Sequence, residues 1–183
     1  DLSSLKGAPL EELDLTRTLV TDLSPLSGAP LKLLDMSETK ITSLAPLTGM
    51  RLEYLFLEKT GVENLGPLTG MPLKKLYCRE SRIANLLPLS GMPLDELNLC
   101  QTQVTDISPL HGLTIKSLWL RENRIRDISP LQGIELVSLD IQGTDVPNLD
   151  VVASIGTLKR LNIAQTPFTD LRPLAGLALE RLI

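Results

Sequence analysis

Five aromatic side chains occur in this 183-residue chain, and four of them, Tyr54, Phe56, Tyr77 and Trp119, fall on two columns of a recurring pattern. Lys75, Arg79, Asn98 and Arg121 stand on the same columns or the adjacent one. Aromatic rings with arginine beside them are the composition of a protein-interface core, where a few such anchors carry most of the binding energy. The chemistry suited to this set is non-covalent capture of a protein or peptide. A competing reading is structural, because aromatic neighbours on adjacent strands also stabilise a sheet by lateral contact.

Residues for covalent chemistry are sparse. His111, the only histidine, lies beside Gly112 in a predicted turn and has no acid or nucleophile at a useful spacing. Cys78 stands at an apolar position and reads as an inert core thiol. Cys100 is expected on the exposed side between Arg79 and Arg121, where two cations would favour the thiolate. No acid–base partner accompanies it, so a reactive thiol is not expected. No metal-ligand spacing, P-loop or dinucleotide fingerprint occurs. The expectation is a non-enzymatic protein with no catalytic residues, no metal and no cofactor.

The pattern that places these residues is a repeat. Leu94, Leu97 and Leu99 are followed by Thr102, Val104, Ile107, Pro109, Leu110 and Gly112, and the same grammar starts at Leu10, Leu31, Leu52, Leu73, Ile115 and Leu136, at intervals of 21. The eighth unit starts at Leu158, an interval of 22. The extra residue falls in 150–157, where Val151 and Ser154 replace the proline and glycine, and a short helical turn is expected over 150–155. Self-similarity at such a period marks a solenoid.

Each unit divides physically. In ELNLC, apolar and polar residues alternate, which is strand periodicity. One short strand per repeat at constant register must pair in parallel with its neighbours. Leu97 and Leu99 then point inward, and Glu96, Asn98 and Cys100 point outward. Val104 and Ile107 turn inward again. In SPL, Ser108 is placed to cap and Pro109 to open a single turn, short enough to be 3₁₀. Gly112 returns the chain to the next strand, where a positive φ is expected. Thr18, Thr39, Thr60, Ser81, Thr102, Asn123, Thr144 and Thr166 form a column of small polar residues expected to bond the backbone as it leaves the strand.

The pattern L-x-x-L-x-L-x-x-T-x-V/I-x-x-L/I-x-P-L-x-G resembles the leucine-rich repeat family. Its DISPL segments, Asp106–Leu110 and Asp127–Leu131, are most similar to bacterial internalin repeats and to arrays in bacterial proteins that carry serine/threonine kinase domains. Two departures are visible: the unit is one residue shorter than the internalin unit, and threonine mostly replaces the usual asparagine. The resemblance implies an α/β-type leucine-rich repeat solenoid. This is a right-handed superhelix with a parallel concave β-sheet and loops or 3₁₀ turns on the convex side. It further implies one domain over residues 1–183, about eight repeats with both ends apparently cut, and ligand binding on the concave face. On that face lie Tyr54, Phe56, Lys75, Tyr77, Arg79, Asn98, Trp119 and Arg121. Strand spacing of about 4.8 Å puts Phe56 beside Tyr77, and Trp119 about 10 Å further, across Asn98. Two other roles are compatible with the pattern: a regulatory segment of a larger bacterial signalling protein such as a kinase, and a structural spacer.

Bulk properties narrow the partner. The net charge is −4, which gives no basic footprint for a nucleic acid. No apolar run reaches the roughly 20 residues of a membrane span. The stretch from Leu73 to Gly133 holds eight Lys/Arg and six Asp/Glu, a local excess of two positive charges, which suits an acidic partner surface. Arg79, Arg82, Arg121, Arg124 and Arg126 contribute to it, although ordinary pairing with Glu80 and Glu122 would also account for them. Two unpaired thiols lean towards a reducing compartment, whereas the internalin resemblance is compatible with a surface or secreted setting.

Overall fold

Alternation of leucine with polar residues lasts only three residues in each repeat, and each repeat accordingly forms one very short strand. The computed structural model describes all 183 residues. The strands are β1 (Glu12–Asp14), β2 (Leu33–Asp35), β3 (Tyr54–Phe56), β4 (Lys75–Tyr77), β5 (Glu96–Asn98), β6 (Ser117–Trp119), β7 (Ser138–Asp140), β8 (Arg160–Asn162) and β9 (Arg181–Leu182). They form one parallel nine-stranded sheet in chain order. Register follows the repeat, so Leu97 sits between Leu76 and Leu118, and Asn98 between Tyr77 and Trp119. Backbone pairing runs past the strands: the Leu99 N–H donates to Trp119 O at 2.9 Å, and the Gln101 N–H to Arg121 O at 2.8 Å.

The leucine positions build a single continuous core. Leu94, Leu97, Leu99, Val104 and Leu110 are fully buried, as are their counterparts in the repeats on either side, in one cluster of 49 residues. Cys78 lies in it, and burial pushes its thiol pKa up, as an inert core cysteine requires. The predicted turn over 150–155 is helix α1 (Asp150–Ala153). Phe168, at a core position of the last full repeat, is only half-buried at the edge of the cluster.

Two local devices hold the corners. After each strand the chain turns through the left-handed region at Arg17, Glu38, Lys59, Glu80, Gln101, Glu122, Gly143 and Gln165, with φ between 53° and 66°. Only one of the eight is glycine, so residue type gives no sign of this turn. The polar column behind the turn then satisfies the carbonyl of the residue just past the strand. Thr39, Thr60 and Thr144 each donate to the carbonyl three residues back at 2.7 Å. Asn123 does more: its Nδ2 donates to Leu99 O and Leu120 O at 2.7 and 2.9 Å, and its Oδ1 accepts from the Thr102 N–H, so one side chain ties two repeats together. Thr18 at the open N-terminal end is exposed, and Ser81 leaves its buried hydroxyl without a partner.

The convex turns are 3₁₀ as expected, but they are not capped as expected. The Ser108 side chain does not cap its own turn. The cap comes two residues earlier, where the Asp106 Oδ1 accepts the Ser108 N–H at 2.8 Å. Asp22, Asn64, Asn85, Asp127, Asn148 and Asp170 accept the equivalent N–H in their own repeats. An acceptor at that offset closes a tight side-chain turn on the backbone, which a serine within the 3₁₀ segment is too close to do.

These caps have a consequence for acid stability. Side-chain and backbone hydrogen bonds from Ser24, Ser108, Ser129 and Arg172 hold the carboxyls of Asp22, Asp106, Asp127 and Asp170 below the ordinary carboxylate range. A carboxyl with a lowered folded pKa contributes stability that is complete above its unfolded pKa of about 4 and is lost as pH falls through the folded value. The melting temperature should therefore drop on acidification below about pH 4. Asparagine already serves at 64, 85 and 148, so replacing the four aspartates with asparagine should preserve the backbone N–H bonds and make that acid limb shallower. An unchanged limb in melts across this range would show that the caps are not its source.

Charge alternates along both margins of the sheet. The residues just before the strands read Glu11, Lys32, Glu53, Lys74, Asp95, Lys116, Val137, Lys159 and Glu180. Lys32 pairs with Glu11 at 2.8 Å and Lys74 with Glu53 at 2.6 Å. On the other margin Arg17 pairs with Glu38 at 3.0 Å. Parallel in-register strands stack identical positions side by side, so like charges would repel and alternation is the stable solution. The first rail lapses in the seventh repeat, at Val137, just before the irregular α1 segment, and the second lapses earlier, at Gln101.

Candidate functional site

The outward residues of β3 to β6 form the candidate site. Register places Phe56 directly opposite Tyr77, and their rings meet edge-to-face with centroids 5.1 Å apart. Trp119 is closer than its strand position suggests. It was expected about 10 Å from Tyr77, but its ring leans back across Asn98 to an edge-to-face contact at 5.9 Å. Asn98 is short, so the indole can cover it, and the aromatic pair gains contact that an intervening large side chain would block. The result is a continuous ridge, Phe56–Tyr77–Trp119, with all three rings partly exposed. Tyr54 occupies the neighbouring column on β3 and takes part in no ring pair.

Polar groups lock the ridge in place. The Tyr77 hydroxyl donates to Glu96 Oε2 at 2.6 Å, and Lys75 Nζ lies 2.9 Å from Glu96 Oε1. Burial, reinforced by the bond to Glu96, drives the Tyr77 pKa up, so the phenol stays a donor. Burial works against the Glu96 charge, but the bonds from Tyr77 and Lys75 outweigh it and lower the pKa. Glu58, half-buried on the outward side just after β3, forms no ion pair; burial raises its pKa, helped by the charges of Asp35 and Glu80 and opposed by those of Arg79 and Lys59.

Arg79 and Arg121 flank this ridge and are both exposed. Between them opens a cleft of about 240 Å³ floored by Asn98, Cys100 and Gln101 and walled by Trp119. Cys100 differs from its expected state. It is 7% exposed rather than exposed, and burial pushes its pKa up to about 11 despite the arginines on either side. Its short side chain lies low among Arg79, Trp119 and Arg121, so desolvation of the thiolate exceeds the attraction of two solvated cations. The arginines pair locally, Arg79 with Glu80 at 2.8 Å and Arg121 with Glu122 at 3.0 Å. Away from the ridge, Arg82 and Arg126 pair with Glu63 and Asp145. A larger hollow, about 700 Å³, lies instead on the flank, where Glu11 pairs with Lys32 and Glu53 with Lys74. No group of three or more acidic, histidine or cysteine residues could hold a metal ion, His111 is exposed in its turn, and no helix is long and apolar enough to cross a membrane.

This geometry matches known structures along the full array. The structure of internalin InlF from Listeria monocytogenes superimposes with a TM-score of 0.91 at 26% identity, covering 100% of this chain and 56% of that one. The chain is an internalin-like leucine-rich repeat array. Internalin C2 from the same organism gives a TM-score of 0.85 at 26% identity, over 94% of this chain and 80% of that one. A plant ice-binding protein gives 0.75 at 20% identity over 94% of this chain and 63% of that one, a likeness of fold alone. No family model and no curated protein matches the sequence. The leucine-rich repeat array thus spans little more than half the length of InlF. The predicted outward residues of β3 to β6 lie together on its concave sheet face. Sequence reasoning missed the Lys75–Glu96–Tyr77 lock, whose only signal was a lysine and a glutamate on the same column in adjacent repeats.

Proposed function

We propose that the array is a non-catalytic binding module that captures a protein or peptide segment on its concave face, with Tyr54, Phe56, Lys75, Tyr77, Arg79, Asn98, Trp119 and Arg121 as the contact surface. The observation that carries this is the unbroken aromatic ridge on an exposed sheet face whose core is otherwise aliphatic. A purely structural ladder accounts for the Phe56–Tyr77 pair of adjacent strands. It accounts less well for an indole that reaches over an intervening strand and remains partly exposed. Exposed apolar patches rimmed by polar groups mark interaction sites. A preformed, hydrogen-bonded platform also lowers the ordering cost of binding.

The chain's only tryptophan ends the ridge beside the arginine cleft, so its fluorescence reports occupancy directly. A random dodecapeptide phage library panned on the array should yield peptides that shift Trp119 emission on titration. The same peptides should protect the backbone of β3 to β6 from hydrogen exchange. Peptides that bind but leave both signals untouched would overturn this reading.

A further inference from the structure

Repeat five is the neutral gap in a charged column. The last outward strand position reads Glu58, Arg79, Cys100, Arg121 across repeats three to six, so two guanidinium groups stand two strands apart, about 10 Å at the backbone, with a small uncharged side chain between them. Both are long enough to lean over that gap. Arg121 reaches its glutamate through Nε at 3.0 Å, leaving both Nη groups without a carboxylate. Arg79 spends Nη2 on Glu80 and Nε on Gln101, at 2.8 and 3.3 Å. These partners are surface contacts that a better acceptor can displace at little cost. Asp140 also lines the cleft, but its two oxygens already accept from the Gln142 N–H at 2.9 Å and Asn162 Nδ2 at 3.1 Å.

We infer that the cleft between Arg79 and Arg121 receives the carboxylate of an acidic side chain, so that the segment held on the concave face is an acidic one. This rests on the concave-face reading and adds the partner's chemistry to it. A guanidinium fork matches a carboxylate in geometry and charge, and two forks converging on one acceptor give the strongest such bonds. Trp119 forms a wall of the cleft and one end of the aromatic ridge, so an acidic residue seated there places a nearby apolar residue on the rings. The other half of the face excludes the acid. Asp14, Asp35 and Glu58 stand outward in repeats one to three, and none of them is in an ion pair. An acidic segment is repelled there and directed to repeats four to six.

Peptides selected from the random library on the wild-type array should share an Asp or Glu at a fixed spacing from an apolar residue. Their affinity for the Arg79→Gln/Arg121→Gln double variant should fall about tenfold or more. Changing the peptide's acid to its amide should cost the same on the wild type and nothing further on the double variant, as interacting groups require. Both arginines are exposed, so melting should be unaffected. Selected peptides without an acid, or additive losses, would overturn the inference while leaving the binding reading intact provided that Trp119→Ala still abolishes capture. Peptides indifferent to Trp119→Ala would overturn both.

Discussion

Leu97→Ala should destabilise the array by about 2–5 kcal/mol, the range for removing a fully buried leucine side chain and leaving a cavity. Leu97 is fully buried at the centre of β5, with four strands on either side. Its isobutyl group packs between the stacked leucines Leu76 and Leu118 of the neighbouring repeats. The loss therefore falls on two repeat interfaces at once, and in a solenoid those interfaces are the main source of cooperativity. Leu182 has the same chemistry but lies on β9 at 46% exposure, so Leu182→Ala should cost under about 1 kcal/mol. Urea unfolding of both variants measures the contrast. The central change should also lower the denaturant slope if the two halves begin to unfold separately. Equal costs at the two sites would show that stability is not transmitted between repeats as this packing requires.

Trp119→Ala should remove about 2–4 kcal/mol of binding energy for any ligand seated on the concave face, a loss of roughly thirtyfold to a thousandfold in affinity. Three features place it among the anchors rather than the rim. Its ring is the largest on the face, it ends the ridge through Tyr77 at 5.9 Å, and it forms a wall of the arginine cleft. The stability cost should be much smaller, about 0.5–1.5 kcal/mol, because the ring is partly exposed and its main native contact is one edge-to-face pair. Titration calorimetry with a library-selected peptide, alongside thermal melts, separates the two effects. A variant that binds normally and melts several degrees lower would make the ridge a structural ladder. Trp119→Phe should retain part of the affinity, since a smaller ring still reaches towards Tyr77.

Much of this molecule follows from its 21-residue grammar. A repeated register leaves no choice of strand order or direction, so the parallel sheet, the 3₁₀ turns after each proline and the inward leucines were all legible, as were the helical turn at the irregular seventh repeat and the outward columns of the candidate site. What failed to show concerned side chains that move within their position. Cys100 was expected exposed because alternation turns it outward, but its short side chain lies low among the longer Arg79, Trp119 and Arg121 and is buried. Ser108 was taken as the cap because it precedes the proline, whereas Asp106 has the reach to close the turn.

The sequence by itself determined the fold and the face, because both depend on which residues recur at equal intervals, and strand geometry converts that period into stacking. The tertiary structure alone decided the shape of the proposed site, because that shape depends on rotamers and neighbours. Asn98 is small enough for Trp119 to cross it. Glu96 is near enough to fix both Tyr77 and Lys75. Cys100 is buried deeply enough to leave a neutral floor between two arginines. Those three facts link residues 19, 21 or 42 positions apart in the chain, and no local pattern encodes how their side chains share the space between strands.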